Sequence, residues 1–260
     1  MKFIRMLFAI LLTGAVLFSA CSDDDENQPA TKATIAVSMT DAPAEYDAVN
    51  ITFSEVAVSM SGGWIVLPGQ ETTINLLEWN NGNSIELGRV DVDPGKVTQI
   101  RLMVTAAEVV VDGTPYDVTI PSAEQTGLKL ITNFDLVAGS TYEFMIDFDA
   151  HASIVTTGNP QSPKGYKLKP TLRVVEVATT GSISGTVSNP ADAPLAVVSQ
   201  NGMEITSTPV DVATGMFRLA YLPPGTYDLT ITDVQNRTYA QNGISVTTGA
   251  DNAIGEVTLQ

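Results

Sequence analysis

From Thr34 onward the chain alternates apolar and polar positions with period two. Ile35, Val37 and Met39 fall on one side, Ala36 and Ser38 on the other, the signature of a half-buried strand. Val49, Ile51 and Phe53 repeat the pattern, and the apolar phase then jumps to Val56, Val58 and Met60. A one-residue slip turns every side chain to the opposite face, so a β-bulge near Ser54-Glu55 is the expected repair. Gly62-Gly63 closes a hairpin into the apolar residues 64–67. Residues 100–105 and 108–111 read as two strands, Asp112-Gly113 as a tight turn and 116–120 as the return strand. Apolar spacing of three and four is nowhere sustained, so no long amphipathic helix is expected. Residues 41–45 and 76–79 read as single helical turns.

The phrases Pro94-Gly95-Lys96-Val97, Ala138-Gly139-Ser140-Thr141-Tyr142 and Pro224-Gly225-Thr226-Tyr227 each feed a glycine turn into a strand. Their spacing is too irregular for a solenoid and suits the connections of sandwich domains. A boundary is expected at Ala178-Thr179-Thr180-Gly181, between a strand over 172–177 and the fresh alternation of Ile183, Gly185 and Val187. The fold class is therefore all-β: two β-sandwiches in tandem, a larger one over 33–177 and a smaller one over 181–260. The linker is short, so the two are expected to touch.

Ahead of the body, Lys2 and Arg5 form a basic head, residues 6–18 are nearly all apolar, and Ser19-Ala20 are small. That layout is a secretory signal peptide over 1–20, and its apolar run is shorter than the ~20 residues of a membrane span. Leu-Phe-Ser-Ala-Cys at residues 17–21 resembles a bacterial lipobox, which implies cleavage before Cys21 and a lipid on that cysteine. Asp23, Asp24, Asp25 and Glu26 follow, and residues 21–32 bury nothing, so they read as a solvated tether. An acidic run behind a lipidated cysteine resembles an outer-membrane export signal. The expected location is a lipid anchor in the outer membrane, with the body exposed at the cell surface. The plainer reading of the acids is a spacer.

Charge narrows the partners. The chain holds 13 Lys+Arg against 29 Asp+Glu, and removal of Lys2 and Arg5 with the signal makes the remainder more acidic still. Such a body is a poor partner for nucleic acid, whose phosphates require basic patches. It is also unsuited to lying flat on anionic lipid. Cys21 is the sole cysteine, so stability rests on apolar burial rather than on disulfides.

Residues 33–177 resemble a bacterial lipoprotein family known as domain of unknown function 4382. The stretches that carry the likeness include MTDAPAEYDAVNITFSEV, GGWIVL, INLLEWNNG, PGKVTQIRLMV, VVVDGTPYDVTIPS, GLKLITNFDLVAGSTYEFMIDFDAHASIV and YKLKPTLRVV. The family has no agreed activity, so the resemblance supplies no catalytic residues. GSISGTV at 181–187 and GMFRLAYLPPGTYDLTI at 215–231 resemble the carboxypeptidase regulatory-like domain. That resemblance implies a prealbumin- or Ig-like sandwich over 181–260, and related folds include starch-binding modules, so it permits carbohydrate binding without implying it.

Candidate chemistry is sparse. His151 is the only histidine. By period two, Asp147, Asp149 and His151 would share one face of a strand, a set able to bind Zn²⁺ or Mn²⁺, or Ca²⁺ through the carboxylates. The plainer reading is the polar face of a strand whose other side is buried, and same-face positions ~7 Å apart suit a small ion poorly. Asp41, Glu45 and Asp47 cluster around Pro43 as a turn would require. Trp64 and Trp79, with Asn80, Asn81 and Asn83, could form a sugar-stacking platform, although tryptophan more often packs into a core. No phosphate-cradling glycine loop is present.

These readings converge on a non-enzymatic surface lipoprotein without a cofactor, acting as an adhesive or ligand-binding module. A glycan or a surface protein is the expected ligand, and Trp64, Trp79 and Asn81 the expected contacts. The alternatives are an accessory subunit of an outer-membrane assembly and a metal-dependent enzyme built on Asp147, Asp149 and His151.

Overall fold

The computed structural model describes residues 31–260 except 43, 45, 122–125 and 160–161. Cys21 and the signal segment lie outside the described residues. The first domain is a sandwich of two sheets. One is four-stranded, in the order β12 (Leu172–Glu176), β9 (Thr141–Asp149), β1 (Ala33–Ala42), β5 (Ile85–Val92). The other is eight-stranded, running β10 (Ile154–Asn159), β11 (Ser162–Leu168), β7 (Thr114–Thr119), β6 (Gly95–Val111), β2 (Ala48–Met60), β3 (Gly63–Val66). Here β4 (Thr72–Asn75) also pairs with β2, and β8 (Leu128–Leu136) with β6.

The phase jump in β2 takes the form expected of it. Pairing with β6 slips on both sides of Phe53, so Val49, Ile51 and Phe53 point inward before the slip and Val56 and Val58 after it. Without that slip one of the two apolar sets would face water. Residues 100–105 and 108–111 are not separate strands, because both belong to the 17-residue β6, which pairs with β2, β7 and β8 along its length. Residues 76–78 form a 3-10 turn, whereas Asp41 and Ala42 stay in strand β1 rather than turning helical.

Ile35, Val37, Met39, Phe144, Ile146 and Phe148 fill the space between the sheets with no exposed surface. Each such side chain contributes about 1.5–3 kcal/mol relative to exposure. The two strands that carry them run parallel, Thr34 opposite Thr141 through to Ala42 opposite Asp149. Their outward positions are closed as well: Ala36, Thr40, Met145 and Asp147 are all buried. A one-sided sheet would leave these wet, so something covers them.

Part of the cover is the first domain's own turn, where Thr40 Oγ1 donates to the Trp79 and Asn83 carbonyls at 2.9 Å each, and part is the second domain. Its strands are β13 (Gly181–Val187), β14 (Leu195–Gln200), β15 (Met203–Pro209), β16 (Met216–Leu222), β17 (Gly225–Thr232), β18 (Thr238–Val246) and β19 (Asp251–Val257). They form a three-stranded sheet, β16-β13-β19, and a four-stranded one, β15-β14-β17-β18. Ile183, Phe217, Leu219, Leu229 and Ile231 supply a separate core, and β15 lies against β1 of the first domain.

Candidate functional site

Trp64 stands on the outer face of the eight-stranded sheet, opposite Ser59 in the β2–β3 hairpin, and is 37% exposed. The turn before it is Ser61-Gly62, and Gly63 already belongs to β3. Two strands away, Arg101 of β6 reaches back so that its guanidinium carbon lies 4.3 Å from the centre of the indole ring. A cation over the face of tryptophan is held by the ring's quadrupole. Glu55 of β2 fixes the other end of the guanidinium, with Nη2 donating to Oε1 at 2.6 Å. Gly127 closes from a third side: a Cβ there would meet Arg101 Cγ at 2.7 Å, and its φ of +91° already favours glycine. The result is a partly exposed indole with an arginine over its face, the guanidinium tied to Glu55. Ile131, 85% exposed, stands on β8 of the same face. Arg101, Glu55 and Gly127 escape a sequence reading because they lie far apart along the chain and only strand register brings them together.

Trp79 does not join this platform. It follows the 3-10 turn, packs half-buried against the first core, and its carbonyl accepts from the Asp41 N–H at 2.7 Å and from Thr40 Oγ1 at 2.9 Å. That places it beside the end of β1, a strand of the other sheet.

Asn81 has yet another position. It and Gly82 take left-handed backbone, φ +55° and +83°, as tight turns require. Its N–H donates to Thr208 Oγ1 at 3.0 Å, while its Oδ1 accepts from Thr208 Oγ1 at 2.9 Å and from the Arg218 N–H at 3.2 Å. Thr208 and Arg218 belong to the second domain, so Asn81 clamps the two domains together. The Arg218 N–H it satisfies is on β16, an edge strand whose groups would otherwise be exposed to unwanted pairing. Gly82 completes the clamp, its carbonyl accepting from the Tyr221 hydroxyl at 2.9 Å. Tyr221 is aimed there by a bulge: Ala220 and Tyr221 together oppose Ser182, and Tyr221 has φ +57°.

The expected strand face of Asp147, Asp149 and His151 is not formed. Strand β9 stops at Asp149, whose Oδ1 accepts from the Ala152 N–H at 2.7 Å and caps the single-turn helix α1 (Ala150–Ser153). Period two ends there, and His151 turns outward, exposed, in that helix. Asp147 is buried and accepts from Arg173 Nε at 2.8 Å, with Nη2 2.7 Å from the same oxygen. Arg173 also crosses the domain boundary, Nη1 donating to the Tyr221 carbonyl at 2.9 Å. Asp41 lies nearby with its Oδ1 on the Ala150 N–H at 3.0 Å. Burial pushes its carboxyl well above the usual carboxylate range, and the charges of Asp147 and Asp149 push the same way. Burial likewise raises Asp149. Among the described residues, no three His, Cys, Asp or Glu side chains are gathered to hold a metal ion. Asp47 serves a turn, accepting from the Gly113 N–H at 2.7 Å.

Residues 32–170 match the family model described as domain of unknown function (DUF4382). The chain belongs to that family. No curated protein matches it. Among solved structures, the chain is similar to the Bacillus anthracis TIE protein, at 10% identity and a TM-score of 0.25, covering 88% of this chain and 51% of that one. The DUF4382 protein thus spans about half the length of that relative. It is also similar to BcpA, the major pilin subunit of Bacillus cereus, at 13% identity and TM-score 0.22, over 88% of this chain and 99% of that one. The fimbrial anchor protein Mfa2 from Porphyromonas gingivalis gives 13% identity and TM-score 0.19, over 80% and 82%. Scores this low leave the reading of the DUF4382 protein to its own residues.

Proposed function

We propose that this is a non-enzymatic lipoprotein, anchored in the outer membrane through Cys21 and displayed at the cell surface, where it serves as an adhesive or ligand-binding module. The observation that carries the reading is the Trp64 face. An indole stays solvent-accessible on an outer sheet face, with the Arg101 guanidinium, itself paired with Glu55, lying over the ring. Fixing a large apolar ring in water costs stability unless a partner covers it, and rigid aromatic anchors lose little entropy on binding. A glycan or a surface protein is the ligand class such a ring suits.

The anchor rests on the basic head, the short apolar run and the Leu-Phe-Ser-Ala-Cys sequence at residues 17–21. A non-enzymatic role is supported by the use of Asp147 and Asp149 for an ion pair and a helix cap. The second domain, in this reading, is a carboxypeptidase regulatory-like module. It closes the outer face of the four-stranded sheet and leaves the Trp64 face open.

Two measurements test the proposal. Protease added to intact cells should remove the body, and Cys21→Ala should release it from the membrane. Protection until the outer membrane is broken would overturn surface display. On an array of glycans and surface-protein extracts, Trp64→Ala should lose whatever the parent protein captures, and unchanged capture would remove Trp64 from the site.

A further inference from the structure

A cleft of about 580 Å³ opens on the outer face of the second domain's three-stranded sheet, beside the Asn81 clamp. Its volume is within the range of small-ligand sites, about 300–1,000 Å³. It exists because the sheet carries almost no bulk there. Ser184, Ala253 and Gly255 line it, and the pairing of β13 with β19 slips between Ser184 and Thr186 so that Gly255 takes φ +81°. A Cβ on Gly255 would meet nothing within 4 Å. The floor is thus flat, narrow in side chains and open above.

Polar groups of both kinds ring this floor. Asp211 Oδ1 accepts from the N–H groups of Ala213 and Thr214 at 2.8 and 2.9 Å, which fixes the carboxylate and leaves Oδ2 as an acceptor. Glu256 lines the cleft as a second carboxylate. Arg218 donates from Nη2 to Ser182 Oγ at 3.2 Å, leaving its other N–H groups as donors. The three contacts that commit Asn81 N–H and Oδ1 across the domain boundary leave its Nδ2 to donate. Met216, 57% exposed, adds an apolar wall.

We propose that this cleft binds a short segment of neutral glycan. Paired hydroxyls on a sugar ring donate to Asp211 and Glu256 and accept from Arg218 and Asn81, and the C–H face of the ring covers Ala253 and Met216. Two carboxylates against one guanidinium, on a chain of net charge −16, repel uronates and sulfated sugars. The site lies on the second domain and does not rest on the Trp64 face.

The test uses the full chain in detergent and neutral hexasaccharides of glucose (α- and β-linked), xylose and mannose, titrated calorimetrically to millimolar concentration, with hexauronate as the acidic control. At least one neutral sugar should bind. Ala253→Trp, which fills the floor at an exposed position, should abolish that binding with Tm unchanged. Glu256→Gln should weaken it roughly tenfold, the loss of one charge-assisted contact, and Trp64→Ala should leave it intact. Should Ala253→Trp fail to fold, Glu256→Gln decides. Absence of binding by every neutral sugar, binding of the uronate alone, or binding that survives the cleft substitutions overturns the proposal. Loss with Trp64→Ala alone would move the glycan to the first domain's face, overturning the cleft while supporting the Trp64 reading.

Discussion

The two sheets of the first domain each carry an arginine–carboxylate pair on the outer face, and the two pairs have opposite fates. On the eight-stranded sheet, Arg101 and Glu55 lie under Trp64, at 21% and 31% side-chain exposure, and the face stays open. On the four-stranded sheet, Arg173 reaches the second domain and its partner Asp147 is closed off, at 23% and 5% side-chain exposure, so the carboxylates differ and the arginines do not. The chemistry is the same, and the covering differs. An ion pair near water is worth about 0–1 kcal/mol. Breaking a buried one strands a charge, at a cost of about 3–5 kcal/mol. The open pair lies against a ring, and the arginine of the closed pair also bonds the second domain through the Tyr221 carbonyl.

Four substitutions bear on that contrast. Arg173→Ala should be the most damaging, destabilising by about 3–5 kcal/mol because Asp147 is left buried and unpaired. Urea unfolding should then resolve separate domain transitions, and a single unshifted transition would show the pair to be ordinary. Asn81→Ala should follow, at about 1–3 kcal/mol, because the Arg218 N–H and Thr208 lose their partner. Limited proteolysis between residues 177 and 181 should quicken in parallel, and an unchanged cleavage rate would leave Asn81 without a clamping role.

Asp41→Asn reads the closed face by pH. The Asp41 carboxyl is raised by burial, with Asp147 and Asp149 adding. Such an acid binds its proton more tightly folded than unfolded, so it favours folding at low pH. That contribution is lost as pH climbs from the ordinary carboxylate range, about 4, through the raised value. The asparagine keeps an oxygen for the Ala150 N–H. The variant should therefore equal or exceed the parent in stability at neutral pH and lose the advantage in acid. The reverse trend would mean that Asp41 is stably ionised. Trp64→Ala should have the smallest effect on folding, on the order of 1 kcal/mol or less, since it removes an exposed cation–π contact. Its consequence should appear in ligand capture instead.

Much of the fold was legible along the chain. Period-two alternation marks β1 and β2, the phase jump marks the slip around Phe53, and Gly181 onward marks a second core. The site residues were less legible. Trp64 and Trp79 are alike as residues, yet one faces water on β3 and the other packs at the end of β1. Asp147, Asp149 and His151 are spaced as strand neighbours, but Asp149 prefers the helical N–H of Ala152 to another extended residue. Asn81 stands in a turn-forming sequence, and nothing in that turn announces that its amide will meet Thr208 more than a hundred residues later.

The sequence by itself determined that this protein is all-β, that its body forms two cores, and that acidic charge dominates its surface. Those properties depend on local periodicity and composition, which each segment carries wherever it lies. Only the tertiary structure decided which of the outer faces is covered, which carboxylate is buried, and where small residues leave a cleft. Those outcomes depend on strand register and on the docking of one domain against another, and they are set by contacts between residues that have no fixed relation along the chain.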